Sequence, residues 1–230
     1  MSSTPSDTAD TSLSGTRLVV IACLAAWFVA AFGVSLFGLL RAGPSDLPLP
    51  IGVALMVPLV VGVLAYVLSS QFRRLLFKAD LRWLIGIQLW RVAGAEFLIY
   101  YAYDKLPASF ALPAGVGDVL VGLAAPFVAM IAASGTPAAR RIVVGWCIAG
   151  IADLIVAVTM GVLSAPGRFG LLAGAVTTAP MLELPLSLIP AFFVPLSILL
   201  HLIVLRRSAE IGHARGVPAR LGLDTLPQGS

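Results

Sequence analysis

Residues 106–118 read LPASFALPAGVGD. They lie where one apolar run, 82–103, gives way to another, 114–133. Pro107 and Pro113 interrupt helix, because proline lacks the N–H that an internal turn requires. Gly115 and Gly117 loosen it further, and Asp118 carries an acid into the second run. The stretch reads as a turn between two membrane spans. The prolines predict that its first half is non-helical and that the second span starts near residue 114.

Working outward, a bilayer core needs roughly 20 apolar residues in a helix. Six segments reach that length: 18–40, 51–70, 82–103, 114–133, 142–163 and 184–205. The fold class expected is an all-α integral membrane protein, a bundle of about six transmembrane helices over 17–206. A disordered tail, 1–16, precedes it and a flexible one, 207–230, follows. The stretch 170–181, GLLAGAVTTAPM, is too short for a seventh span and reads as a re-entrant or interfacial piece.

Composition agrees. Of 230 residues 59% are hydrophobic and 11% charged, against roughly 25% charged in soluble domains, and the mean hydropathy is +1.00. With an inside N-terminus, the inner segments hold Arg17, Arg73, Arg74, Lys78, Arg82, Arg140, Arg141, Arg206, Arg207, Arg215 and Arg220. The outer loops hold only Arg41, Lys105 and Arg168. Lys and Arg collect on the cytoplasmic side, so both termini are expected there. The net charge of +4 is spread over short loops and is no nucleic-acid footprint. Cys23 and Cys147 sit in apolar runs without metal-site spacing. No phosphate loop, HExxH or GxSxG is present, and no cofactor is expected.

Five ionisable residues lie in or at the edge of spans: Arg91, Glu96, Asp118, Asp153 and Glu183. A charge at mid-bilayer costs at least about 2.5–3.5 kcal/mol, so such residues face a protein interior or a wet cavity and pair. Taking 1.5 Å of helix rise per residue, Arg91 lies about 14 Å and Asp153 about 18 Å from the inner face. Asp118 and Glu183 lie near outer span ends. All five are expected to line one cavity open to the outside. Gln88 shares the face of Arg91, whereas Glu96, five residues on, does not. Asp153 is the first partner for Arg91 and Asp118 the second. One cation and four acids sum to −3, so either some acids carry protons or cations bind. A second reading also stands: a buried Arg–Asp pair fixes packing, and Asp118 only caps a helix. His201 reads as a helix-end histidine rather than a ligand.

WRVAG at 90–94 and WCIAG at 146–150 hint at a duplicated hairpin. Residues 88–126 carry Gln88, Arg91, Gly94, Phe97, Leu106–Pro107, Phe110–Ala111, Pro113–Ala114–Gly115, Gly117–Asp118 and Gly122. This pattern resembles a signature of an uncharacterised family of bacterial multi-pass inner-membrane proteins. The resemblance covers about 40 of the 230 residues. It implies a bacterial inner-membrane location and no assigned activity. Asp104 departs from it, where the family often has Gly.

Three functions compete. The first is a small transporter or carrier for protons, cations or a small polar solute, binding at Arg91, Glu96, Asp118, Asp153, Glu183 and Gln88. The second is an accessory subunit docking a membrane partner or a second copy of itself, through small-residue pairs such as Gly145/Ala149 and Gly170/Gly174. A membrane-embedded enzyme using the acids ranks last.

Overall fold

The computed structural model describes residues 5–41 and 48–211, without the side chains of 5–14 and 210. Within these residues the chain is helical and has no strand. The helices are α1 (Pro5–Leu36), α2 (Leu49–Leu68), α3 (Ser70–Lys78), α4 (Leu81–Gly86), α5 (Ala95–Ala102), α6 (Ala108–Ala133), α7 (Pro137–Leu163) and α8 (Val194–Arg207). A 3-10 stretch, Ile87–Gly94, joins α4 to α5, and a π-helical turn, Ile189–Phe193, leads into α8.

Five segments are long and apolar enough to cross a membrane: Gly15–Leu36, Leu49–Leu68, Ala108–Ala133, Pro137–Leu163 and Ile189–Arg207. The third expected span, 82–103, is not one continuous helix. It folds as α4, the 3-10 stretch and α5 in succession. The stretch 170–181 forms turns and the start of a short 3-10 piece, Ala179–Leu182, rather than a span. Gly170 and Gly174 therefore lie outside any helix. Helix α1 starts inside the expected 1–16 tail, whose residues 1–4 lie outside the described ones. The second expected tail begins packed: Arg207, Ser208 and Ile211 are buried, and 212–230 lie outside the described residues.

Local chemistry sets the boundaries. Ser69 accepts from Phe72 N at 3.1 Å and starts α3, and Thr136 accepts from Ala139 N at 3.1 Å and starts α7, with Pro137 at its first position. Both follow the preference for a side-chain oxygen at helix starts. Asp80 starts α4 by accepting from Arg82 N at 2.9 Å, and its carboxylate also takes the Arg82 guanidinium at 2.8 Å. These bonds hold the Asp80 carboxyl below its ordinary range.

The 106–118 turn is tighter than expected. Helix α6 begins at Ala108, directly after Pro107, and Pro113 lies inside it. The missing N–H of Pro113 falls in the second turn and does not stop the helix. The reversal is made earlier, by Asp104, whose φ of 53° is left-handed. Glycine is the usual residue there, and aspartate is among the few others that tolerate it. In the same way Pro195 cannot donate to Ala191, and the Ala191 carbonyl instead accepts from Trp27 Nε1 of α1 at 3.1 Å.

Helix α6 is the hub, packed against α4, the 3-10 stretch, α5 and α7. Two apolar clusters flank its middle. One gathers Ile85, Val121, Val128, Val143, Cys147 and Val204. The other gathers Phe97, Leu106, Phe110, Ala114, Ala157 and Leu186. Every helix that passes between them does so through residues 86–96, 115–120, 148–156 or 187–203. The buried polar residues Gln88, Arg91, Asp118, Ser187, Ser197 and His201 fall in these gaps.

Candidate functional site

Buried residues on the broken third segment recur every third position: Ile85, Gln88, Arg91, Gly94 and Phe97. A 3-10 helix has three residues per turn, so positions i and i+3 eclipse. The 3-10 winding of 87–94 therefore brings Gln88, Arg91 and Gly94 into one line facing α6, α7 and α8. Standard α-helical winding rotates them progressively off that line.

Arg91 is fully buried. Its Nε donates to Asp118 Oδ1 of α6 at 2.7 Å, and one terminal nitrogen donates to Asp153 Oδ2 of α7. The other donates to the Gly150 carbonyl at 3.3 Å and lies 3.2 Å from His201 Nε2 of α8. A guanidinium only donates. Nε2 therefore accepts, and the ring is neutral with its proton on Nδ1, an atom with no partner among the described residues. The ring packs tilted against Trp146, centroids 4.7 Å apart and planes at 59°, and Trp146 Nε1 donates to the Val121 carbonyl at 3.1 Å. With both acids ionised, the cluster carries one positive and two negative charges.

Three glycines make room for it. A Cβ on Gly94 would stand 2.8 Å from Asp118 Oδ2. A Cβ on Gly117 would strike the Asp153 carboxylate, and one on Gly150 would strike the His201 imidazole and approach Arg91 within 3.2 Å. Contacts this close are not tolerated in a packed interior. Each glycine thus holds open the space that one member of the cluster fills.

Of the residues singled out from the sequence, four come together. Arg91, Asp118 and Asp153 form the cluster, and Arg91 takes both acids rather than one. Gln88 lies beside it, donating from Nε2 to the Ser197 carbonyl at 3.2 Å and accepting from Ser197 Oγ at 3.0 Å. The other two do not join. Glu96 is half-buried and bonds to nothing among the described residues. Glu183 is exposed and pairs with Arg41 at 2.6 Å. The expected convergence of five charges is therefore a convergence of three. His201 is the reverse correction: it is fully buried against Arg91, not at a helix end reaching for water. Its signal was Ser197 four residues earlier, on the same face of an otherwise apolar run.

A cleft of about 240 Å³ reaches this cluster. Its walls are apolar, with Leu55, Phe97, Phe110, Leu154 and Val158 among them. Asp118 is its acidic lining residue, and Arg168 and Thr178 stand among the loop residues around it. Among the described residues no three His, Cys, Asp or Glu side chains are grouped to hold a metal ion.

A family model described as a domain of unknown function, DUF8737, matches residues 48–208. The chain belongs to the DUF8737 family. The match spans α2 to α8 and so includes every residue of the cluster and its three glycines, while α1 lies outside it. The expectation of an uncharacterised family holds to that extent. No curated protein and no solved structure matches the chain.

Proposed function

We propose that this DUF8737 protein is a small membrane carrier in which Asp118 and Asp153, set against Arg91, bind a proton or a cationic solute. The carrying observation is that Asp118 belongs to both features: it pairs with the buried arginine and lines the cleft. A solute in the cleft would thus meet an arginine set against two carboxylates. The 3-10 stretch supports the same reading, since such winding in mid-helix often marks a hinge.

The bundle lies in a bilayer in this proposal, with the third, broken segment as a sixth crossing. Both termini are cytoplasmic and the membrane is the bacterial inner membrane. The charge sorting supports that orientation. Arg207 of α8 donates to the Leu76 carbonyl of α3 at 2.8 Å, which puts Arg73, Arg74, Lys78 and Arg206 at one end. Arg41 meets Glu183 at the other. Lys and Arg favour the cytoplasmic side.

Purified protein in proteoliposomes, with a pH step across the membrane and a lumenal pH dye, tests the carrier. Wild type should dissipate the step faster than empty vesicles, alone or with added cationic solute. Folded Asp118→Asn and Asp153→Asn should not. Wild-type flux in both variants would sink the reading.

A further inference from the structure

The cleft and the cluster together define a ligand class. We propose that the cleft binds a small lipophilic monocation, with its ammonium at Asp118 and its apolar body between Phe97, Phe110, Leu154 and Val158; this rests on the carrier reading above. Charge gives the first reason. With both acids ionised, Arg91 balances one carboxylate of two, His201 is neutral, and a single positive charge completes the cluster. A dication would overshoot it. An anion would leave the acidic end of the cleft facing its own tail, where low dielectric strengthens the mismatch.

Hydrogen bonding gives the second reason. Asp118 Oδ1 accepts from Arg91, while Oδ2 has no donor among the described residues. A carboxylate oxygen only accepts, so the complementary group is a donor, best a charged one. Shape gives the third. The volume of about 240 Å³ lies below the ~300–1,000 Å³ of pockets for drug-sized ligands. An occupant is therefore of the size of an aralkyl amine. The rings of Phe97 and Phe110, edge to face at 5.2 Å, suit such a body and offer a cation their faces.

The test uses the full chain in lipid nanodiscs, with empty nanodiscs as the partition control. Three probes that share a 2-phenylethyl body are titrated by calorimetry: 2-phenylethylamine, 2-phenylethanol and 3-phenylpropionate. The amine should bind about 10- to 100-fold more tightly than the alcohol, the range for a charge-assisted hydrogen bond, and the acid should not bind. Asp118→Asn should reduce the amine to the affinity of the alcohol. Gly161→Phe should abolish binding of both, because a Cβ at Gly161 meets only Phe110, at 3.6 Å, among the described residues, and the new ring fills the cleft from a position about 12 Å along α7 from Asp153. That second variant reads the cleft even where Asp118→Asn fails to fold. Equal binding of the three probes, or amine binding that survives Gly161→Phe, overturns the ligand class. The two proposals fail separately. Amine binding without flux in proteoliposomes removes the carrier and keeps the ligand. Asp153-dependent flux without amine binding does the opposite.

Discussion

Arg91→Met removes the guanidinium at nearly constant bulk. Four acceptors then lose their donor at once: Asp118 Oδ1, Asp153 Oδ2, the Gly150 carbonyl and His201 Nε2. Two of them are carboxylates facing each other across the site of the lost charge. Removing one partner of a buried ion pair costs about 3–5 kcal/mol. That is a large part of the ~5–15 kcal/mol that holds a typical fold. The damage, however, lies in the stranded acids rather than in the lost attraction. Neutral isosteres at all three positions should therefore be better than the single change, as replacement of a whole buried ion network is often close to neutral. Arg91→Met/Asp118→Asn/Asp153→Asn should recover about 2 kcal/mol or more of the loss. Unfolding by SDS in bicelles, followed by circular dichroism and by the fluorescence of Trp146 on the His201 ring, measures both variants. A triple variant no more stable than Arg91→Met would refute the reasoning.

Other consequences are smaller. Gly117→Ala drives a methyl into Asp153 and should cost about 1–3 kcal/mol; Asp153→Ala in the same chain should return part of that, and strictly additive losses in the unfolding assay would count against the contact. Glu96→Gln and Glu183→Gln should each stay within about 0.5 kcal/mol of wild type, since neither acid touches the cluster, and a loss of more than about 1 kcal/mol in either would contradict the placement. Asp80 should titrate below the ordinary carboxylate range because the Arg82 side chain hydrogen-bonds it. Its folded value lies below its unfolded one, so its support of α4 is complete above the unfolded value and is lost as pH falls through the folded value. Carbon-detected NMR of the Asp80 carboxyl should show Arg82→Ala moving that titration upward, and no movement would rule the hydrogen bond out as the cause.

Five of the six expected segments were legible as long apolar helices because apolar length is a strong signal. Arg91 with Asp118 and Asp153 was legible for the same reason, since charges are rare in such runs. Glu96 and Glu183 enter the expected site on depth alone. Depth says how far along a helix a residue lies, not which way it points. The 3-10 stretch has a sequence signal of its own. The spacing Gln88, Arg91, Gly94, Phe97 is a period of three, which an α-helix of 3.6 residues per turn does not share. The glycines had a hidden logic too. WRVAG and WCIAG each end in a glycine that clears the cluster, Gly94 for Asp118 and Gly150 for His201. The acids that follow them part ways, because Asp153 meets Arg91 and Glu96 meets nothing among the described residues.

A purely structural account of the cluster meets a difficulty of charge. One arginine and one aspartate suffice to fix the register of two helices, and that pair is neutral. Here a second carboxylate is added, although each buried ion costs several kcal/mol in desolvation, and a third glycine-cleared space is kept for a neutral histidine. Packing alone favours asparagine or a small apolar residue at Asp118 or Asp153. With both acids ionised, the surplus negative charge gains a physical rationale once a positive partner visits, and Asp118 is the member that the cleft reaches. In the proposed carrier, binding would neutralise the cluster and release would restore its imbalance. That difference between two states is what a carrier needs to couple solute to movement, and the 3-10 segment that carries Arg91 is where such a movement would begin.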